Sequence, residues 1–154
     1  MADSKANADK EALEAWYKPL MDQVVKEMIR IKAVGGVAVQ ASPAWMVPHD
    51  ILIAKVWGMD NEADFVWTIS VDKLIADYVA GSLAKSPREV ARHFSLKWQM
   101  DADRIASLET VKAPVASAEN SMQAYAKKLI RYAETLYDLA ERDDAWQELQ
   151  PLVD

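Results

Sequence analysis

Asp72, Asp77, Tyr78, Arg88 and Arg92 are the residues whose types and order best suit chemistry in this chain. Arg88 and Arg92 stand four apart and so share one face of a helix. A helix beginning beside them adds free N–H groups and the positive end of its dipole, which together favour an anion. With the carboxylates of Asp72 and Asp77 nearby, the group forms a candidate anion or ligand site. The same residues have a plainer reading, in which Asp77 pairs with Arg88 or Arg92 as a clasp between loop and helix. Ion pairs of that structural kind are commoner than active sites, so the clasp is preferred.

Two histidines, His49 and His93, are the only ones in the chain, and neither has a second histidine at helical spacing. Zinc would therefore need carboxylate ligands, and no metal site or cofactor is implied. His93 follows Glu89 by four residues on the outer shoulder of a helix and reads as solvated. His49 precedes Asp50 in a Pro48-His49-Asp50 turn, where a catalytic base is the lesser reading and loop chemistry the greater. Of the tryptophans, Trp16 and Trp98 fall on helical core stripes, and Trp57 and Trp67 on strands that pair. Trp45 sits between Pro43 and Pro48 in a rigid, irregular segment, where its ring could line a groove for a ligand or partner. The glycine-rich, nucleophile-elbow and HExxH signatures are all missing.

These residues need elements to hold them. Leu13, Trp16, Leu20, Val24, Met28 and Ile31 recur three or four apart, one stripe of an amphipathic helix. Pro19 either opens a helix near Lys18 after a separate short one, or kinks a single long helix. Gly35 and Gly36 are expected to stop it. The segment Ser42 to Pro48 must be extended or turning, since each proline restrains the residue before it. Ile51–Trp57 and Phe65–Val71 read as a β-hairpin with a polar loop, and a further strand is expected near Asp77-Tyr78-Val79. Alternation places Ile51, Ile53 and Lys55 on one face of the hairpin and Leu52, Ala54 and Val56 on the other.

Ser86-Pro87-Arg88-Glu89 marks a helix start, with a capping serine, a proline in the first turn and a glutamate three after the cap. That helix buries Val90, Ala91, Phe94, Trp98, Ala102 and Ile105. A last helix is expected from Ser117 to about Leu149. Its Met122, Tyr125, Ala126, Leu129, Tyr132, Ala133, Leu136 and Leu139 repeat at close to 3.5 residues, a stripe for another helix of the chain or of a second copy. The fold class expected is α+β, with an antiparallel sheet of three or four strands against an N-terminal, a middle and a long C-terminal helix.

The chain has 154 residues, no cysteine and a net charge of −6. A single domain, 1–154, is expected from that length, with 1–8 disordered and 150–154 a frayed tail. From Asp138 onward six acids face Arg142 alone, so this end carries −5 of the −6 and the remainder is nearly neutral. A basic field for nucleic acid is lacking, so no nucleic-acid partner is expected. No apolar run approaches a membrane span or a signal peptide, so a cytoplasmic location and no membrane partner are expected.

One resemblance joins several of these residues. Pro43-Ala44-Trp45, then Phe65-Val66-Trp67-Thr68-Ile69-Ser70, Asp77-Tyr78, Ser86-Pro87-Arg88-Glu89 and the downstream Trp98 resemble a bacterial family of small domains of unknown function. The match runs from about Leu20 to Ile105. This chain departs from the family pattern at Val71-Asp72-Lys73-Leu74-Ile75 and in having serine before Pro87. The resemblance implies that Trp45, Trp67, Asp77, Tyr78, Pro87, Arg88 and Trp98 belong to a shared pattern. No visible nucleophile–base pair supports an enzyme, so the preferred function is a protein-interaction or binding module that forms a homodimer through the C-terminal helix. The alternative is a small ligand-binding domain or enzyme with its anion site near Asp72, Asp77, Arg88 and Arg92.

Overall fold

Trp16, Leu20, Val24 and Met28 lie one above another at four-residue spacing, and all four are buried. They belong to one helix, α1, spanning Ala2–Arg30 with Pro19 inside it. An interior proline removes a helical hydrogen bond. Here it lies on the exposed side, while Trp16 and Leu20 anchor the helix on either side of it. The computed structural model describes residues 2–34, 38–72, 75–111 and 116–147.

The expected glycine stop is not what ends α1. The N–H of Ala33 reaches the carbonyl of Met28 at 2.9 Å and that of Lys32 reaches Ile29 at 3.1 Å. Lys32 itself takes a φ of 60°. This bond pair is a Schellman motif with lysine in the left-handed position that glycine usually fills. Gly35 and Gly36 lie outside the described residues.

Four strands follow: β1 (Val39–Val47), β2 (Ile51–Gly58), β3 (Phe65–Val71) and β4 (Ile75–Ala80). They form one antiparallel sheet in the order β1-β2-β3-β4. The irregular Ser42–Trp45 segment is part of β1, where the register shifts between Pro43 and Trp45 and leaves Ala44 as the extra residue. An edge strand tolerates this, because a bulge absorbs the proline's missing donor. The hairpin register pairs Ile53 with Ile69 and Lys55 with Trp67.

Met46, Leu52, Val56 and Val66 face α1 and pack against its stripe. Ile51, Ile53, Ile69 and Val71 on the opposite face are buried as well. A single 3₁₀ turn, Gly81–Leu83, leads to helix α2 (Pro87–Val111), which starts where the Ser86-Pro87 pair predicts. Helix α3 (Ala116–Ala140) and a short α4 (Asp144–Gln147) complete the described chain, so the last helix ends earlier than expected. The expected tail at 150–154 falls outside the described residues.

The fold is therefore α+β, a four-stranded antiparallel sheet with four helices. The described residues divide into two compact units, 2–87 and 88–147. The first holds α1 and the sheet; the second is helical. Among the described residues no helix is long and apolar enough to cross a membrane.

Candidate functional site

The residues singled out in the sequence divide between the two units. In the sheet unit, Trp45 is only 4 % exposed, opposite Ile53, so its ring presents no open face. Trp67 is also buried, and its indole N–H donates to the carbonyl of Ala84 at 2.9 Å. That bond pins the segment entering α2 to the central strand. Phe65 meets Trp67 edge-on at 5.3 Å, and the ammonium of Lys55 lies 4.7 Å from the Phe65 ring centre and 5.0 Å from that of Trp67. These contacts reinforce the hairpin as cation–π and cross-strand pairs do.

His49 is exposed in the β1–β2 turn with a φ of 68°, and its ring rests 5.7 Å from that of Trp16. The turn closes through the N–H of Asp50 donating to Val47 at 3.0 Å. Asp72, at a φ of 53°, donates its own N–H to the carbonyl of Asp50 at 2.7 Å, tying the β1–β2 turn to the β3–β4 turn. Asp77 is half-buried, and its carboxylate accepts the N–H of Tyr78 at 2.8 Å. Tyr78 is exposed on β4.

In the helical unit, Arg88 is committed to the end of α3. Its Nε donates to the carbonyl of Ala140 at 2.7 Å and its Nη2 to Asp143 at 2.8 Å. Trp146 donates its indole N–H to the carbonyl of Leu139 at 2.9 Å. Arg88 thus takes up the Ala140 carbonyl at the helix end, while the Leu139 carbonyl accepts both the Trp146 indole and, at 3.0 Å, the N–H of Arg142. Arg92 is exposed, and its carbonyl accepts the hydroxyl of Ser95. His93 packs edge-on against Phe94 at 4.9 Å.

Ala126, Leu129, Tyr132, Ala133, Leu136 and Ala140 of the α3 stripe are buried within the chain itself. Met122 and Tyr125, which their spacing assigns to the same stripe, are exposed instead, and so are Ile130 and Tyr137 beside it. Ala102, Ala106, Ala126, Lys127, Ile130 and Glu134 line an open depression of about 500 Å³ between α2 and α3. Leu96 and Met100 are exposed on α2. Ile130 and Tyr137 stand seven apart, a spacing present in the sequence but off the 3.5-residue stripe that dominated it. Among the described residues, no group of three or more potential metal ligands comes together.

No curated protein and no solved structure matches this chain significantly. Residues 11–146 match the family described as Domain of unknown function (DUF4826), a wider span than Leu20–Ile105.

Proposed function

Because this chain belongs to that family of unknown function, we propose that it acts through a surface, as an interaction module that pairs with a second copy along the α2–α3 groove. The observation that carries this reading is the open depression whose apolar part is formed by Ala102, Ala106, Ala126 and Ile130, the last a residue 43 % exposed near the middle of α3. A large aliphatic group at the centre of an open groove is the kind of patch that partners cover.

The order of charge along α3 favours a second copy as the occupant. Exposed Lys127, Lys128 and Arg131 precede exposed Glu134 and Asp138. Two such helices laid antiparallel about a two-fold axis near Ile130 set the basic half of each against the acidic half of the other. Lys127 then faces Glu134 of the second copy. A two-fold interface requires such self-complementarity, and opposite charges across it fix register.

Sedimentation equilibrium tests the reading. Wild-type protein is expected to dimerise, Ile130→Asp to give a folded monomer, and Lys127→Glu to weaken association. The double charge swap Lys127→Glu with Glu134→Lys should restore it. A wild-type protein that stays monomeric at high micromolar concentration, or an Ile130→Asp variant that still pairs, sinks the proposal.

A further inference from the structure

We propose that the cleft between α1 and β3 is a binding site for a small neutral organic molecule with an apolar body and one hydroxyl or carbonyl head, held by Ser70. Helix α1 packs over β1 and β2 and reaches Val66 with Val24 and Met28. Beside it an open cleft of about 230 Å³ remains, lined by Leu20, Val24, Met28, Thr68, Ser70 and Ala76. A dry cavity of about 150 Å³ admits benzene, so this volume suits a slightly larger molecule.

Ser70 points to a ligand. Its register partner Leu52 packs against α1, so its hydroxyl shares the face that the cleft occupies. The residue is 3 % exposed, yet its hydroxyl has no hydrogen-bond partner among the described residues. The other buried hydroxyls differ: Thr68 donates to the carbonyl of Ala54 at 3.3 Å and Ser95 to that of Arg92 at 2.7 Å. Buried polar groups are nearly always bonded, and each exception calls for an explanation. Ser70 retains one donor and two lone pairs, and Thr68 retains acceptor capacity, all beside aliphatic walls.

The electrostatics select a neutral guest. No lysine or arginine lines the cleft, whereas Glu27 and Asp77 both do, so a carboxylate or phosphate head finds no counter-charge there. Glu27 is itself engaged by Arg30, and Asp77 stands opposite Ile69 with its carboxylate accepting the N–H of Tyr78, so both carboxylates are already occupied.

Benzyl alcohol and toluene, titrated against ¹⁵N-labelled full-length protein, test the site. Benzyl alcohol is expected to shift the amides of Val24, Met28, Thr68 and Ser70 and to bind about fivefold tighter than toluene, the worth of one net hydrogen bond. Ser70→Ala should bring benzyl alcohol down to the toluene level while the far-ultraviolet spectrum stays unchanged. Ala76→Leu, on an exposed position of β4, should block both probes by filling the cleft. Equal binding of the two probes to wild-type protein, shifts confined to other residues, or a preference that survives Ser70→Ala would overturn the proposal.

Discussion

The Nε of Arg88, in the first turn of α2, donates to the carbonyl of Ala140, the last residue of α3, at 2.7 Å. One side chain therefore links the start of one helix to the end of another, across 52 residues of chain. The guanidinium suits this place, because its fork offers a second N–H to Asp143 at 2.8 Å.

Replacing Arg88 by alanine is expected to cost about 1–3 kcal/mol in urea unfolding, since a partly buried charged donor is lost and a helix-end carbonyl is left unbonded. Asp143→Ala should cost under about 1 kcal/mol, because that carboxylate is 85 % exposed. Equal losses for the two variants would mean that the ion pair, and not the carbonyl bond, matters.

Lys32→Gly should stabilise the protein by about 0.5–1 kcal/mol. Lysine at a φ of 60° sits in the left-handed region, where a Cβ crowds the following carbonyl and glycine does not. A raised melting temperature checks this; an unchanged or lowered one contradicts the strain.

Gly81→Ala should destabilise by about 1–3 kcal/mol through overpacking. A Cβ there would fall 2.7 Å from the carbonyl oxygen of Phe65 and 2.8 Å from its ring. The ring cannot yield without leaving Lys55 and Trp67. Besides the lower melting temperature, a changed tryptophan fluorescence should report the displacement.

Leu129 and Ile130 are chain neighbours with opposite surroundings, 2 % and 43 % exposed. Leu129→Ala is expected to cost about 2–5 kcal/mol. At a concentration where the protein is monomeric, Ile130→Ala should cost no more than about 0.5 kcal/mol. Denaturant titration of the two variants separates them.

Glu27 and Asp144 titrate below their ordinary values, chiefly because Arg30 and Arg142 hydrogen-bond their carboxylates. A lowered folded value means that each pair's contribution is complete above the ordinary carboxyl range. It is lost as the pH falls through the lowered value. Both carboxylates are open to solvent, with 44 % and 61 % of the side chain exposed, so the loss is small and shrinks in salt. Carbon-detected NMR of the side-chain carboxyls should return Glu27 to its ordinary value in Arg30→Ala and Asp144 to its own in Arg142→Ala.

Much of this was legible in the residues. The alternation of Ile51–Val56 gave both faces of β2, and Ser86-Pro87 gave the first turn of α2. Periodicity marked Trp16 to Met28 as a buried stripe, but it could not decide between a broken and a continuous helix at Pro19. That outcome depends on which side of the helix faces the sheet. The end of α3 was hidden for a different reason: beside the backbone bonds from Glu141 and Arg142, it is closed by Arg88, 52 residues away, and that bond leaves no local pattern. Trp45 looked open because prolines flank it, yet the bulge at Ala44 keeps the strand paired and its ring inside. Ser70 carried no signal at all, since an unbonded hydroxyl is a property of its neighbours in space.

The strand order β1-β2-β3-β4 has a kinetic consequence. Every strand bonds only to the strand beside it in sequence, across the short connections 48–50, 59–64 and 72–74. Loops that short cost little entropy to close, and sheets built from such local contacts form faster than those needing distant strands. Assembly can follow the order of synthesis, with the first hairpin closing once Gly58 has left the ribosome and each later strand adding to an edge already waiting for it.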